Sequence, residues 1–256
     1  MNLSMPRAAL ITGAGKRIGR TIALHLAELG WAIAVHYNGS EAAAAEVVEL
    51  IRAKGGKAVA LQADLGREAE VERLVPHAVE ALGPLGCLVN NASTFDYDSI
   101  ESATRATWDH HMEANLRAPF VLIQGFAKQL PVEAQGAVVN MIDQRVWNLT
   151  PHFVTYTLSK AALWTLTQTL ALALAPRIRV NGIGPGPTLP STHQTEAQFA
   201  QQCAAMPLGR GTSPDEIVAA VRFLLQARAM TGQMVALDGG QHLGWAQPKQ
   251  SCSVVD

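Results

Sequence analysis

The 256-residue sequence has few cysteines and little net charge, and these two scarcities exclude several kinds of protein. Its three cysteines, Cys87, Cys203 and Cys252, are far apart and form no CxxC or metal-ligand spacing, which argues against a disulfide framework or a zinc site. A formal net charge of -1 without long runs of one sign gives no electrostatic reason to bind nucleic acid or an anionic membrane. We therefore expect a protein of the reducing cytoplasm that has no polyanionic partner.

Targeting signals and long apolar runs are also missing. Met1 to Pro6 lack the basic and then apolar design of a secretion signal and lead directly into an apolar strand. The most apolar stretch, Leu158 to Ala175, is interrupted by polar residues such as Lys160 and is ended by Pro176, so we interpret it as a buried helix. The eight histidines stand at no metal-ligand spacing, and we predict no metal site.

What the sequence does contain is a regular alternation of short apolar runs with helical patterns, which is typical of βαβ units in a parallel sheet covered on both faces. The predicted strands are Ala8 to Thr12, Trp31 to His36, Ala58 to Gln62, Cys87 to Asn90, Ala137 to Ile142, Ile178 to Ile183 and Met234 to Leu237. The predicted helices are Ile18 to Leu29, Ser40 to Lys54, Glu68 to Leu82, Thr104 to Gln129, Val154 to Ala175 and Pro214 to Gln226.

This pattern predicts an α/β fold, a Rossmann-like, doubly wound parallel sheet of about seven strands in one domain over residues 1–256. We expect the strand order to reverse after the third strand and to open a ligand crevice at the carboxyl ends of the strands. Gly184 to Met206 is irregular and long enough to form a mobile substrate loop, and 247–256 is expected to be a flexible tail.

The first predicted strand ends in a glycine-rich loop, Thr12-Gly13-Ala14-Gly15-Lys16-Arg17-Ile18-Gly19, and an amphipathic helix follows. Glycines let backbone N–H groups approach a pyrophosphate at the amino end of a helix. Because a strand precedes the loop and further βαβ units follow it, we interpret Gly13, Gly15 and Gly19 as part of a dinucleotide site.

The end of the second strand indicates which dinucleotide is bound. NAD-selective sites carry an acidic residue there for the ribose 2′-hydroxyl, but this strand ends in His36-Tyr37-Asn38. Arg17, Asn38 and Ser40 can instead receive a 2′-phosphate through a charge-assisted contact and hydrogen bonds. The sequence therefore predicts NADPH as the cofactor, and Ser40 can also serve as the N-cap of the next helix.

A second constellation places Tyr156 and Lys160 at i and i+4 on one face of a helix. Together with the glycine-rich loop, Asn90-Asn91-Ala92, Asn115 and Pro185-Gly186, this pair resembles the short-chain dehydrogenase/reductase family over almost the whole chain. The resemblance implies that Tyr156 exchanges the substrate proton, that Lys160 holds the nicotinamide ribose and that Asn115 holds a proton-relay water. The further cofactor contacts that it implies come from Ile18, His36, Asp64, Leu65, Asn91, Ala92, Pro185, Gly186 and Thr188.

Two departures from the common family pattern narrow the expected substrate. Arg17 replaces the second glycine of the loop pattern TGxxxGxG, and Asp143 replaces the catalytic serine thirteen residues before Tyr156. Both replacements resemble pteridine reductases, of which dihydromonapterin reductases are a close variant. The match fails at Gly39, where the pteridine reductase pattern has an arginine for the 2′-phosphate. The substrate contacts that this resemblance implies are Arg17, Ser93, Phe95, Asp143, Phe153 and Tyr156, with Phe95 stacked on the pterin ring.

We therefore expect NADPH-dependent reduction of a dihydropterin or a similar flat heterocycle, with proton delivery by Tyr156 and Asp143. One alternative is the reduction of another small carbonyl substrate, such as a 3-oxoacyl thioester, sugar or quinone, but ordinary carbonyl reducers use a neutral serine donor in place of Asp143. The other is a non-catalytic NADPH sensor, which would need no Asn115, Tyr156 and Lys160 relay. The family commonly forms tetramers through its two long helices, which implies a homotetramer.

Overall fold

The computed structural model describes residues 4–191 and 194–244, and its strands form one parallel sheet. The strands are β1 (Ala8–Ile11), β2 (Ala32–Tyr37), β3 (Ala58–Gln62), β4 (Cys87–Asn90), β5 (Gly136–Met141), β6 (Ile178–Pro185) and β7 (Met234–Leu237). Their order across the sheet is β3-β2-β1-β4-β5-β6-β7, and all neighbouring strands pair in parallel. The chain crosses from β3 back to the other side of β1, so the predicted α/β fold and its reversal of strand order are confirmed.

Helices cover both faces of this sheet. Within the described ranges the α-helices are α1 (Arg17–Glu28), α2 (Glu41–Ala53), α3 (Glu68–Leu82), α4 (Arg105–Met112), α5 (Ala118–Gln129), α6 (Val154–Leu174), α7 (Glu196–Ala204) and α8 (Pro214–Gln226). Buried residues of α1, α2 and α8 pack with one face of the sheet, and those of α3, α5 and α6 pack with the other. Successive residues of β1 divide between the two layers, since Leu10 packs with α3 and α5 whereas Ile11 packs with α1.

Two predicted elements were wrong in ways that affect the site, while the ends of the others shift by at most two residues. The single helix predicted over Thr104 to Gln129 is interrupted by a π-helical turn, Glu113–Arg117, between α4 and α5. The irregular segment predicted over Gly184 to Met206 begins with the end of β6 and contains α7, which starts at a capping box. Helix α7 has no buried residue, and therefore no periodic apolar pattern that could have predicted it. The predicted flexible tail, 247–256, lies outside the described residues.

The sequence predicted that α6 would be a buried helix, but only part of its surface is buried. Its Leu163 and Ala171 are buried, but Leu158 is exposed and Leu172 is 84% exposed. Among the helices in the described part of the chain, none combines the length and the apolar character that a membrane crossing needs. In a single chain, α6 therefore presents apolar side chains to the outside.

Candidate active site

A cavity of about 290 Å³ lies at the carboxyl ends of the strands, next to the point where the strand order reverses. Many of the predicted site residues line it together: Arg17, Ile18, Asn91, Ser93, Phe95, Asp143, Tyr156, Lys160, Pro185, Gly186 and Thr188. Of the other lining residues, Leu189, Gln194, Phe199 and Gln202 lie in the segment predicted as a substrate loop, whereas Gln144, Arg145 and Gln241 were not predicted. These belong to no recognisable motif, and only the folded chain brings them to the cavity.

The glycines of the nucleotide loop are required by close contacts between backbone segments. Gly13 has φ +64°, and Gly15 lies in the same loop between β1 and α1. A Cβ on Gly19 would lie 2.3 Å from the carbonyl oxygen of Gly13 and 2.6 Å from the amide nitrogen of Asn91. The first turn of α1 holds no acidic residue, and its N-cap residue Lys16 makes no side-chain capping bond. The free N–H groups of this turn therefore fit a phosphate, as a dinucleotide site requires.

His36 lies beneath the nucleotide loop and not in the cavity. The buried imidazole accepts the Gly13 N–H at Nδ1, 3.0 Å away, while its Nε2 lies 3.1 Å from the carbonyl oxygen of Ala63. Because Nδ1 accepts, the ring proton must be on Nε2. Burial lowers the pKa of His36 to about 4. Through this ring, His36 positions the loop that the cofactor would contact.

The residues predicted to meet a 2′-phosphate make different contacts in this structure. Asn38 and Ser40 both follow β2, and Ser40 is the N-cap residue of α2, although its hydroxyl makes no capping hydrogen bond. Arg17, in contrast, has φ +51° and donates to the carbonyl oxygens of Pro190 at 2.9 Å and Leu189 at 3.3 Å. The guanidinium of Arg17 therefore joins the nucleotide loop to the segment that follows β6, a contact that the sequence did not predict.

The other predicted cofactor contacts lie on the segments after β3 and β4. The N–H of Ala92 donates to the hydroxyl of Thr12 at 2.9 Å, which fastens the segment after β4 to the nucleotide loop. Asp64 accepts the N–H of Gly66 at 2.9 Å, whereas Leu65 is buried in the core layer that includes α3. Asp64 and Leu65 thus shape a turn beside the sheet and do not line the cavity.

The predicted proton donors are in contact. Tyr156, in the first turn of α6, donates its hydroxyl proton to Oδ2 of Asp143 at 2.9 Å. Lys160 is buried one helical turn later, donates to the carbonyl oxygen of Met141 at 2.9 Å and lies 5.7 Å from the centre of the Tyr156 ring. Burial lowers the pKa of Lys160 to about 8, although the charge of Asp143 opposes this shift. The site thus combines a phenol, a carboxyl group and an ammonium group within one cavity wall.

Asn115 lies in the π-helical turn, and its side chain connects two segments of the site. Its Oδ1 accepts the N–H of Thr94 at 2.9 Å and the hydroxyl of Ser93 at 3.1 Å. Its Nδ2 donates to the carbonyl oxygen of Thr94 at 3.0 Å and to the hydroxyl of Ser159 in α6 at 3.1 Å. A π-helical turn at a functional position is common, and here it joins the Ser93–Thr94 segment to the helix of the proton donor.

Two phenylalanines form an aromatic wall beside the proton donors. The rings of Phe95 and Phe153 are stacked, with 4.5 Å between their centres and 3° between their planes. Phe95 also meets the Tyr156 ring edge to face, at 4.7 Å between centres. Phe153 is the N-cap residue of α6 and has φ +56°, so this stack depends on an unusual backbone conformation. Because Phe153 covers one face of Phe95, a flat ligand would have to stack on its other face.

Comparison with known proteins places the chain in a family. Residues 13–242 match the family described as Enoyl-(Acyl carrier protein) reductase. A similar solved structure is that of FolM alternative dihydrofolate reductase 1 from Brucella suis in complex with NADP, with 46% identity, a TM-score of 0.91 and coverage of 97% of this chain and 99% of that one.

Curated relatives cover nearly the same length. An uncharacterized oxidoreductase from Methylorubrum extorquens is 36% identical over 242 residues, which are 91% of this chain and 97% of the relative. The 3-oxoacyl-[acyl-carrier-protein] reductase FabG of Staphylococcus epidermidis is 34% identical over 247 residues, which are 93% of this chain and all of the relative. The chain therefore belongs to the short-chain dehydrogenase/reductase family of oxidoreductases.

Proposed function

We propose that this protein is an NADPH-dependent reductase of a dihydropterin or a similar flat heterocycle. The observation that carries the proposal is the hydrogen bond between Tyr156 and Asp143 at the cavity, because a carboxyl group in place of serine can deliver a proton to a ring nitrogen. The similar Brucella suis protein, whose name is that of an alternative dihydrofolate reductase, supports the same substrate class.

The residues around the nucleotide loop support NADPH as the cofactor. The first turn of α1 is free for the pyrophosphate, and no acidic residue ends β2, where it would repel a 2′-phosphate. The similar Brucella suis structure contains NADP. When bound, NADPH supplies the hydride, and the remaining chemistry belongs to the protein's own side chains.

In the proposed reaction the hydroxyl of Tyr156 gives its proton to the substrate. Asp143, in its protonated form, can return a proton to the phenol oxygen through the contact at 2.9 Å. The ammonium of Lys160 stabilises the negative charge that the phenol carries in between, and its pKa of about 8 keeps it largely charged at neutral pH. Asn115 maintains the Ser93–Thr94 segment, and Phe95 excludes water from one side.

A second candidate function is the reduction of another small carbonyl substrate, such as a 3-oxoacyl thioester, sugar or quinone. The FabG relative, 34% identical over 247 residues, favours it. Asp143 opposes it, because the developing oxyanion of a reduced ketone is better served by a neutral hydroxyl donor than by a carboxylate. A non-catalytic NADPH sensor is opposed by the assembled Tyr156, Lys160 and Asp143 cluster.

The test is to follow NADPH oxidation with a panel of dihydropterins and dihydrofolate beside 3-oxoacyl thioesters, ketones and quinones. We expect the highest kcat/KM with a pterin. Tyr156→Phe should lower kcat by roughly a hundredfold or more while the Kd for NADPH stays nearly unchanged. A clear preference for ketones would favour the second function, and tight NADPH binding without any turnover would favour the sensor.

We also propose that the protein acts as a cytoplasmic homotetramer. The exposed Leu158 and Leu172 of α6 support an interface there, since apolar side chains on one outer face commonly mark a contact between subunits. Light scattering of the purified protein checks the assembly, and a monomeric mass at micromolar concentration would contradict it.

A further inference from the structure

Arg145 is a buried cation at the cavity that has almost no hydrogen-bond partner among the described residues. It lies in the 3-10 turn Gln144–Val146, directly after Asp143, and is 6% exposed. Of its guanidinium donors, Nη1 donates to the hydroxyl of Thr150 at 2.9 Å. Its Nε is buried without a hydrogen-bond partner. None of the ion pairs within the described ranges includes Arg145.

Aromatic rings hold this guanidinium in place. Its central carbon lies 5.0 Å from the centre of the Phe153 ring and 5.9 Å from the centre of the Phe95 ring. Such contacts attract the cation, but they satisfy none of the N–H groups at its edge. Arginine is therefore fixed beside the predicted stacking residue with most of its five donors unused.

The preceding residue shows the same property. Gln144 is 5% exposed, its Oε1 is buried without a hydrogen-bond partner, and it lines the same cavity as Arg145. Buried polar groups in native proteins are almost always hydrogen-bonded, so two successive exceptions need an explanation. Nε of Arg145 and Oε1 of Gln144 are themselves out of contact with solvent, but both side chains line the cavity, and Nη2 of Arg145, which also has no hydrogen-bond partner in the described part of the chain, is the donor that a ligand there can meet.

We propose that Arg145 is a substrate-binding residue that donates hydrogen bonds to an oxygen of the substrate, either a ring carbonyl or a carboxylate of its side chain. The planar guanidinium matches both kinds of acceptor, and the contact is charge-assisted. Arg145 follows Asp143 by two residues, and its backbone N–H donates to Oδ1 of Asp143 at 2.8 Å, so the turn couples the proton-delivering carboxyl to the substrate anchor. This inference rests on the proposed function and adds to it a residue that selects oxygen-bearing heterocycles.

Two variants separate the roles of the charge and of the planar group. Arg145→Met removes every donor but keeps a flexible apolar stem against the two phenylalanines. Arg145→Lys keeps a charge without the planar fork. In Arg145→Met we expect KM for the substrate to rise by about tenfold to a hundredfold, with little change in kcat or in the Kd for NADPH, and in Arg145→Lys a smaller rise.

Comparison of two substrates shows which substrate oxygen accepts the hydrogen bonds of Arg145. Dihydrofolate carries carboxylates on its side chain, whereas a dihydropterin with a polyol side chain does not. A rise in KM for both substrates assigns the contact to the ring carbonyl, and a rise for dihydrofolate alone assigns it to the carboxylate. The matched control is Arg105→Met, which removes an equal charge from an exposed ion pair with Asp109 and should leave both KM values unchanged.

An unchanged KM for both substrates in a folded Arg145→Met protein, or a parallel loss of NADPH affinity, overturns the inference while pterin reduction by the unaltered protein stands. If circular dichroism shows that Arg145→Met does not fold, Arg145→Lys decides, and failure of both variants to fold identifies a purely structural role and overturns it as well. If the unaltered protein neither binds nor reduces any pterin, the proposed function and this inference fall together.

Discussion

The imidazole of His36 and the backbone of Gly13 are joined by a hydrogen bond of 3.0 Å, in which the N–H of Gly13 donates to Nδ1. The opposite ring nitrogen lies 3.1 Å from the carbonyl oxygen of Ala63, so the ring bridges the nucleotide loop and the segment after β3. A doubly protonated imidazole has no acceptor, and protonation would therefore break the bond to Gly13. The proposed cofactor site thus depends on a histidine that must remain neutral.

We predict that His36 makes the protein sensitive to acid. Its pKa falls from 6.5 in the unfolded chain to about 4 in the fold, so the unfolded chain binds more protons between these values and the fold loses stability as the pH falls through them. The loss approaches ~1.4 kcal/mol per pH unit within that window. His36→Asn replaces the buried imidazole by a smaller side chain that keeps an acceptor, so this variant should be less stable than the unaltered protein at pH 7. Because asparagine does not titrate, the difference in unfolding free energy between the two proteins should narrow toward pH ~4.5. Urea unfolding across this range measures the difference, and parallel pH curves would contradict the prediction.

A second prediction concerns the crowding around Gly19. Gly19→Ala places a Cβ 2.3 Å from the carbonyl oxygen of Gly13, so the loop has to move and its N–H groups lose their alignment. We expect the Kd for NADPH to rise by about tenfold or more, equivalent to ~1.4 kcal/mol. Gly125→Ala, in α5 and outside the nucleotide loop, is the control, because the nearest atom to a Cβ there is on Val75, 3.3 Å away. Fluorescence titration with NADPH compares the two, and equal affinities would mean that the loop tolerates the change.

Much of the fold was predictable because its signals are contiguous in the chain. Helices α3 and α8 and strands β3, β4 and β7 begin and end where the apolar patterns and turn residues indicate. The π-helical turn was not predictable, since one extra residue in a helical turn changes the spacing of the apolar residues too little to be recognised in the sequence. Helix α7 was not predicted because it buries no side chain and therefore has no periodic pattern of apolar residues.

In the candidate site, too, some residues were predictable from the sequence and others were not. The family resemblance predicted Asp143, Tyr156 and Phe95, which the structure brings into contact. It did not predict that Arg17 would bind the carbonyl of Pro190, 173 positions away, because such a contact exists only in the folded chain. Arg145 was overlooked for a related reason, since an arginine is ordinarily exposed and becomes notable only when its burial is known.

We predict that removing the charge of Lys160 stabilises the fold. Burial lowers the pKa of this lysine from 10.5 to about 8, so at neutral pH the charged group opposes folding by up to ~3 kcal/mol. Lys160→Met also loses the bond to Met141, worth ~1 kcal/mol, and a net gain of about 1–3 kcal/mol at pH 7 remains. The gain should shrink as the pH rises from 8 to 10.5, because the wild-type lysine loses its proton in the fold over that range. Denaturant unfolding checks this, and Lys54→Met, at an exposed ion pair with Glu28, should show no such gain.

The last prediction is that Asp143 determines which substrate class is reduced. The carboxyl of Asp143 accepts the hydroxyl of Tyr156 at 2.9 Å, and in its protonated form it can supply a proton through that hydroxyl to a ring nitrogen, whereas a serine hydroxyl chiefly stabilises the oxyanion of a carbonyl. Asp143→Ser should therefore lower kcat/KM for a dihydropterin by about a hundredfold or more, which is the worth of one general acid, and raise the ratio of ketone to pterin reduction. Asp143→Asn is the control that keeps the shape of the side chain but cannot release a proton, and it should lose pterin reduction without gaining ketone reduction. Steady-state kinetics of the three proteins on both substrate classes measures these ratios. If pterin reduction in Asp143→Ser equals that of the unaltered protein, Asp143 has no part in proton delivery, and the 3-oxoacyl chemistry of the FabG relative becomes the better model for this chain.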